Sequence, residues 1–171
     1  MSAGAASRRG FTVLELLVTL LVLSLVAATA IRSYFARADV TLENAAILLA
    51  YDLRAVQHRS TYTGETSHLH FPPDGDSYHV LDAAGKMVLN PQTSDPFERV
   101  YSRDGVFRGV QIIEVDAGGD RTLDYDSHGW PVEDLVVTLA FAGDTRVVQF
   151  ERGTAKLTLV GSTSGWIETD P

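Results

Sequence analysis

The chain has 171 residues, with 14 basic and 22 acidic side chains and a formal net charge of -8. That length suits one modest domain plus an extended element, and the acidic balance disfavours phosphate-rich partners such as nucleic acid. Cysteine is absent, which excludes disulfides, zinc-thiolate sites and thiol nucleophiles.

Residues 1–10 are small and polar and end in Arg8, Arg9 and Gly10. From Phe11 to Ile31 the side chains are almost all apolar, with Glu15 the single charge. As a helix this run is roughly 31 Å long, the thickness of the hydrocarbon core of a bilayer. The two arginines should stay cytoplasmic and send the C-terminal part outward. A Sec signal ending at Ala28-Thr29-Ala30, or a plain anchor, would fit the hydropathy alone. Glu15 argues against both, because a carboxylate inside an apolar span costs a few kcal/mol unless it has a partner. A cut between Gly10 and Phe11 would supply one. It creates a cationic amine on Phe11, one helical turn from Glu15, and staggered helices in a filament can pair the amine of one subunit with the carboxylate of the next. The cut also removes both arginines, freeing the helix to leave the bilayer.

The stretch Arg9-Gly10-Phe11-Thr12-Val13-Leu14-Glu15-Leu16-Leu17-Val18 resembles the prepilin cleavage and methylation signature. The resemblance implies processing by prepilin peptidase between Gly10 and Phe11, N-methylation of Phe11, and a role for Glu15 in filament assembly.

Beyond the span, Ile31, Tyr34, Phe35, Ala38, Leu42, Ala45, Ala46, Leu49, Leu53 and Val56 recur in steps of three and four, one stripe of an α-helix. Arg32, Arg37, Asp39, Glu43, Asn44, Asp52, Arg54 and Arg59 fall mostly off it. With no proline or glycine from Phe11 to Tyr62, one continuous helix is expected, ending at Gly64.

The period then changes to two. Strand-like runs are Thr66–Phe71, Tyr78–Ala83, Lys86–Leu89, Arg99–Ser102, Val110–Val115, Thr122–Tyr125, Leu135–Ala142, Thr145–Glu151 and Ala155–Val160, separated by Gly-, Pro- and Asp-rich turns. The last three read as a meander joined by two-residue turns. The expected architecture is α+β: a long N-terminal helix packed on an antiparallel β-sheet domain. Four segments follow: a leader at 1–10, a transmembrane or filament-core helix at 11–31, an amphipathic helix at 32–63 and a periplasmic β-domain at 64–171.

Leu53-Arg54-Ala55-Val56, the strand around His68 and His70, the segment from Leu123 to Pro131 and a final hairpin at Arg152-Gly153 are together similar to the GspH/FimT family. That family comprises minor pseudopilins of type II secretion and minor pilins of type IV pili. The resemblance implies an inner-membrane subunit whose partners are prepilin peptidase, the major and other minor pseudopilins, and the secretion platform.

Other chemistry is thinly represented. His68 and His70 share one strand face, which reads as a solvated face, and no metal or cofactor is expected there. Asp116, Asp120, Asp124 and Asp126 surround Gly118-Gly119; oxygen-rich loops suit Ca²⁺, but this is not EF-hand spacing and a solvated hairpin is expected. No nucleophile motif or phosphate-binding loop is present, so no catalytic residue is assigned and the chain is read as a non-enzyme. The tail after Gly161 carries Glu168 and Asp170 and no base, which argues against the DNA capture of some FimT-type pilins.

Overall fold

The computed structural model describes residues 13–90, 93–161 and 167–169, without the side chains of residues 28–39 and 167–169. The chain divides into two compact units, Met1–Arg37 and Ala38–Pro171. The leader, Gly10 and Phe11 lie outside the described residues, as do part of the expected span and the end of the tail. Among the described residues, no helix is long and apolar enough to cross a membrane.

One helix, α1, runs from Val13 to Thr63. Its end follows from Gly64, which adopts φ +68 and donates its N–H to the Ser60 carbonyl at 2.9 Å. Within the second unit, the helical stripe meets the core as its spacing requires. Leu42, Ala45, Ala46, Leu49, Leu53 and Val56 are all buried, sharing one apolar cluster with the strands. Each fully buried Leu or Val removes enough apolar surface to contribute about 1.5–3 kcal/mol.

Two antiparallel sheets cover this stripe, giving the expected α+β architecture of a long helix on antiparallel β-structure. The first has the order β3-β2-β1-β5, from β1 (Ser67–His70), β2 (Ser77–Asp82), β3 (Glu98–Val100) and β5 (Thr122–Tyr125). The second has the order β4-β6-β7-β8-β9, from β4 (Gln111–Asp116), β6 (Leu135–Phe141), β7 (Asp144–Phe150), β8 (Leu157–Gly161) and β9 (Ile167–Thr169). They are stitched where the Ile112 N–H donates to the Gly75 carbonyl at 2.7 Å.

Several expected elements are corrected. The Asp116–Asp126 segment is not a hairpin: β4 pairs with β6 and β5 with β1, so the turn between them carries the chain from one sheet to the other. Buried Ala117 pins that crossing. The run Lys86–Leu89 makes only isolated bridges, Met87 to Leu81 and Leu89 to Pro96. Arg99–Ser102 is divided between β3 and a 3-10 turn over Tyr101–Arg103, whose Tyr101 is buried. The meander holds, but β7 and β8 are separated by Glu151–Lys156 rather than by two residues, and β9 extends it. Asp52, placed off the apolar stripe, is only 6% exposed, because two partners on the first sheet meet its carboxylate.

Candidate functional site

The N-terminal part of α1 presents an apolar surface made by its own sequence. From Val13 to Val26 its Leu and Val side chains are 52–76% exposed. The two hydroxyls in this stretch are satisfied inside the helix, Thr19 donating to the Leu16 carbonyl at 2.8 Å and Ser24 to the Leu21 carbonyl at 2.7 Å. They therefore add no unmet polar group to an apolar contact. Glu15 sits in the first turn, where a carboxylate complements the positive end of the helix dipole. It is the one charged group between Val13 and Ala27.

In the second unit, two arginines hold the helix, one from each sheet. Arg99 donates through Nε to Asp52 Oδ2 at 2.9 Å and through Nη2 to Oδ1 at 3.4 Å, and the Tyr78 hydroxyl donates to the same Oδ2 at 2.8 Å. Burial, and then the neighbouring Tyr101 and Asp52, push the Tyr78 hydroxyl well above the usual tyrosine range, so it stays a donor. The hydrogen bond to Asp52 likewise raises the Arg99 pKa. From the second sheet, Arg146 donates through Nε to Glu43 Oε2 at 2.9 Å. A third tether is neutral: the buried Tyr125 hydroxyl donates to the Leu53 carbonyl at 3.1 Å.

The loop after β5 closes on the helix end. Asp126 Oδ1 accepts from the His128 and Trp130 N–H groups at 2.9 and 2.8 Å, folding Asp126–Trp130 into a tight turn. The Thr61 hydroxyl donates to the His128 carbonyl at 2.9 Å. Asp126, His128 and Ser127 do not form a relay, because the same nitrogen, His128 Nδ1, faces both Asp126 at 3.9 Å and Ser127 at 3.4 Å. A proton relay needs acid and nucleophile on opposite ring nitrogens.

Of the histidines and carboxylates named from sequence, the structure brings His68 onto Asp124 and sets His70 against Thr122 instead. His68 Nδ1 meets Asp124 Oδ1 at 2.6 Å, while His70 Nδ1 meets Thr122 Oγ1 at 2.9 Å. Glu133, which sequence reading passed over, approaches Gly118 and has a raised pKa from burial and then from Asp120, Asp124 and Asp116. No signal in the sequence pairs position 133 with that cluster, since the link is made by the fold. Among the described residues, no three or more His, Cys, Asp or Glu side chains are gathered to hold a metal ion.

Residues 6–31 match a family described as the prokaryotic N-terminal methylation motif. The fold is similar to the crystal structure of the type IV minor pilin FimU from Pseudomonas aeruginosa, with a TM-score of 0.50 at 15% identity over 72% of this chain and 90% of that one. No curated protein matches the sequence significantly. The chain thus joins a prepilin-type methylation motif to a helix-on-sheets fold like that of a minor pilin.

Proposed function

We propose that this chain is a minor pseudopilin of a type II secretion system. Prepilin peptidase cuts it after Gly10, Phe11 is N-methylated, and the subunit assembles through its N-terminal helix into a periplasmic pseudopilus that drives protein export. The methylation motif over residues 6–31 carries the reading. Its Glu15 is the lone acid of an otherwise apolar, exposed helix surface, suited to pairing with the Phe11 amine of a neighbouring subunit. Before assembly, the subunit sits in the inner membrane with Arg8 and Arg9 inside and the β-domain in the periplasm. Its working contacts are other pseudopilins and the inner-membrane platform. The likeness to a type IV minor pilin favours a second reading, a FimT-like minor pilin of a type IV pilus.

Intact-mass measurement on membrane-extracted protein tests the shared part. The expected mature chain starts at Phe11 and is one methyl group heavier than its sequence. A start at Ile31 overturns the filament reading. Deleting the gene then separates the two assignments: loss of protein secretion with pili intact supports the pseudopilin, and loss of pili with secretion intact supports the type IV minor pilin.

A further inference from the structure

The outward face of the first sheet carries a row of polar side chains crossing all four strands. Thr122, His70, His79 and Glu98 stand as successive direct partners: Thr122 on β5 faces His70 on β1, His70 faces His79 on β2, and His79 faces Glu98 on β3. Alternate residues Leu69, Tyr78 and Val80 turn inward and are fully buried, which holds the strands in register and keeps both imidazoles on the opposite, partly exposed face. The two rings are 5.1 Å apart between centroids and tilted by 54°.

We infer that His70 and His79 form an open two-imidazole site for a divalent transition metal of the Ni²⁺, Cu²⁺ or Zn²⁺ class. The centroid spacing fits two imidazoles sharing one ion. With metal–nitrogen bonds of about 2.0–2.1 Å and about 1.1 Å from nitrogen to ring centre, ligand angles of about 90–109° place the centroids roughly 4.4–5.2 Å apart.

The surroundings prepare His70 to be a ligand. The Thr122 hydroxyl directs its proton to the Asp120 carbonyl at 3.4 Å, leaving its oxygen to accept from His70 Nδ1–H at 2.9 Å. That assignment from the hydrogen-bond network leaves the lone pair on His70 Nε2, the arrangement in which metal-binding histidines are held by an outer partner. Glu98 and Asp74 act on His79 with negative charge, offsetting that of a bound cation. Coordination rests on two protein nitrogens, with water in the remaining positions. Imidazole donors select this metal class over Mg²⁺ and Ca²⁺, which prefer all-oxygen shells.

Calorimetric titration of the tag-free, full-length chain in detergent with Ni²⁺ tests the site. One ion per chain is expected, with saturable binding lost in both His70→Ala and His79→Ala and kept in His68→Ala and His128→Ala. Thr122→Val retains both ligands and should weaken binding about tenfold by freeing the His70 ring. Electron spin-echo spectra of the wild-type chain with one equivalent of Cu²⁺ read the ligands without any substitution, and should show two imidazoles. No saturable binding, binding that survives both histidine substitutions, or a spectrum with fewer than two imidazoles overturns the site.

Discussion

Gly129 lies directly against the last turns of the helix at Thr61: a Cβ at position 129 would stand 2.1 Å from Thr61 Oγ1 and 2.6 Å from the Gln57 carbonyl oxygen. The residue also has φ +82, a conformation that side chains resist. The Asp126–Trp130 turn can close on the helix only because nothing projects from this position.

Gly129→Ala should therefore destabilise the fold by about 2–3 kcal/mol, combining backbone strain with a contact that the helix backbone cannot relieve. Gly153 is the control: its φ is +83 but open space surrounds it, so Gly153→Ala should cost only ~1 kcal/mol. Thermal unfolding followed by circular dichroism compares the two. Equal losses would mean that the helix contact contributes nothing.

Asp52→Ala should cost about 2–3 kcal/mol, because it strands the buried Tyr78 hydroxyl and a half-covered guanidinium at Arg99. Tyr78→Phe removes a single neutral donor and should cost ~1 kcal/mol. Denaturant midpoints at constant slope measure both. A neutral Asp52→Ala would show that the ion pair merely offsets its own desolvation.

Glu133 gives a pH signature of opposite sign to the usual carboxylate. Its pKa is raised on folding by burial and by Asp120, Asp124 and Asp116, so the protonated form favours the fold. Its contribution is fully present below the unfolded carboxylate range and is lost as pH rises through the folded value. Glu133→Gln should consequently stabilise the protein at neutral pH, by no more than ~0.5 kcal/mol for a group only partly buried. The gain should vanish when melts are repeated in acid, below the carboxylate range. A gain independent of pH would rule out the charge cluster as its source.

Glu15→Ala should leave membrane insertion and cleavage after Gly10 intact, yet reduce co-purification with other filament subunits by roughly tenfold or more. Equal incorporation of wild type and variant would remove the pairing of Glu15 with the Phe11 amine.

A chain cut to begin at Ala38 keeps every residue of the apolar cluster and should fold as a soluble α+β monomer. Beginning instead at Gly64 removes Leu42, Leu49, Leu53 and Val56 and exposes the faces they cover, so aggregation is expected. Size-exclusion chromatography compares the two. A well-behaved monomer from the shorter chain would show that the helix is dispensable to the core.

The legible parts of this fold are those where a period repeats. Leu42 to Val56 keep helical spacing over four turns, Gly64 stops the pattern, and the alternation from Leu135 to Phe150 marks two strands with a tight turn between them. Arg99 and Asp52 show what escapes such reading. They are 47 positions apart, and nothing at either position announces the other, so Asp52 reads as a solvated acid until the sheet is in place. The division into two sheets is hidden for the same reason: β4 and β5 are consecutive and close in sequence, but their partners are distant. β9 is three residues long, too short for alternation to show. At the N-terminus, the glycine, aromatic and acid spacing around Gly10, Phe11 and Glu15 was readable because the signal is local. The pairing of His70 with His79 required the register of β1 against β2.

The two arginine clamps also define a load path. Arg99 grips the helix at Asp52 and Arg146 grips it at Glu43, each from a different sheet. Tension applied along this stretch of helix would therefore be divided between the two sheets, which the Ile112–Gly75 hydrogen bond links to each other. Severing one of these two ion pairs should lower the force at which the helix is drawn out of its own domain.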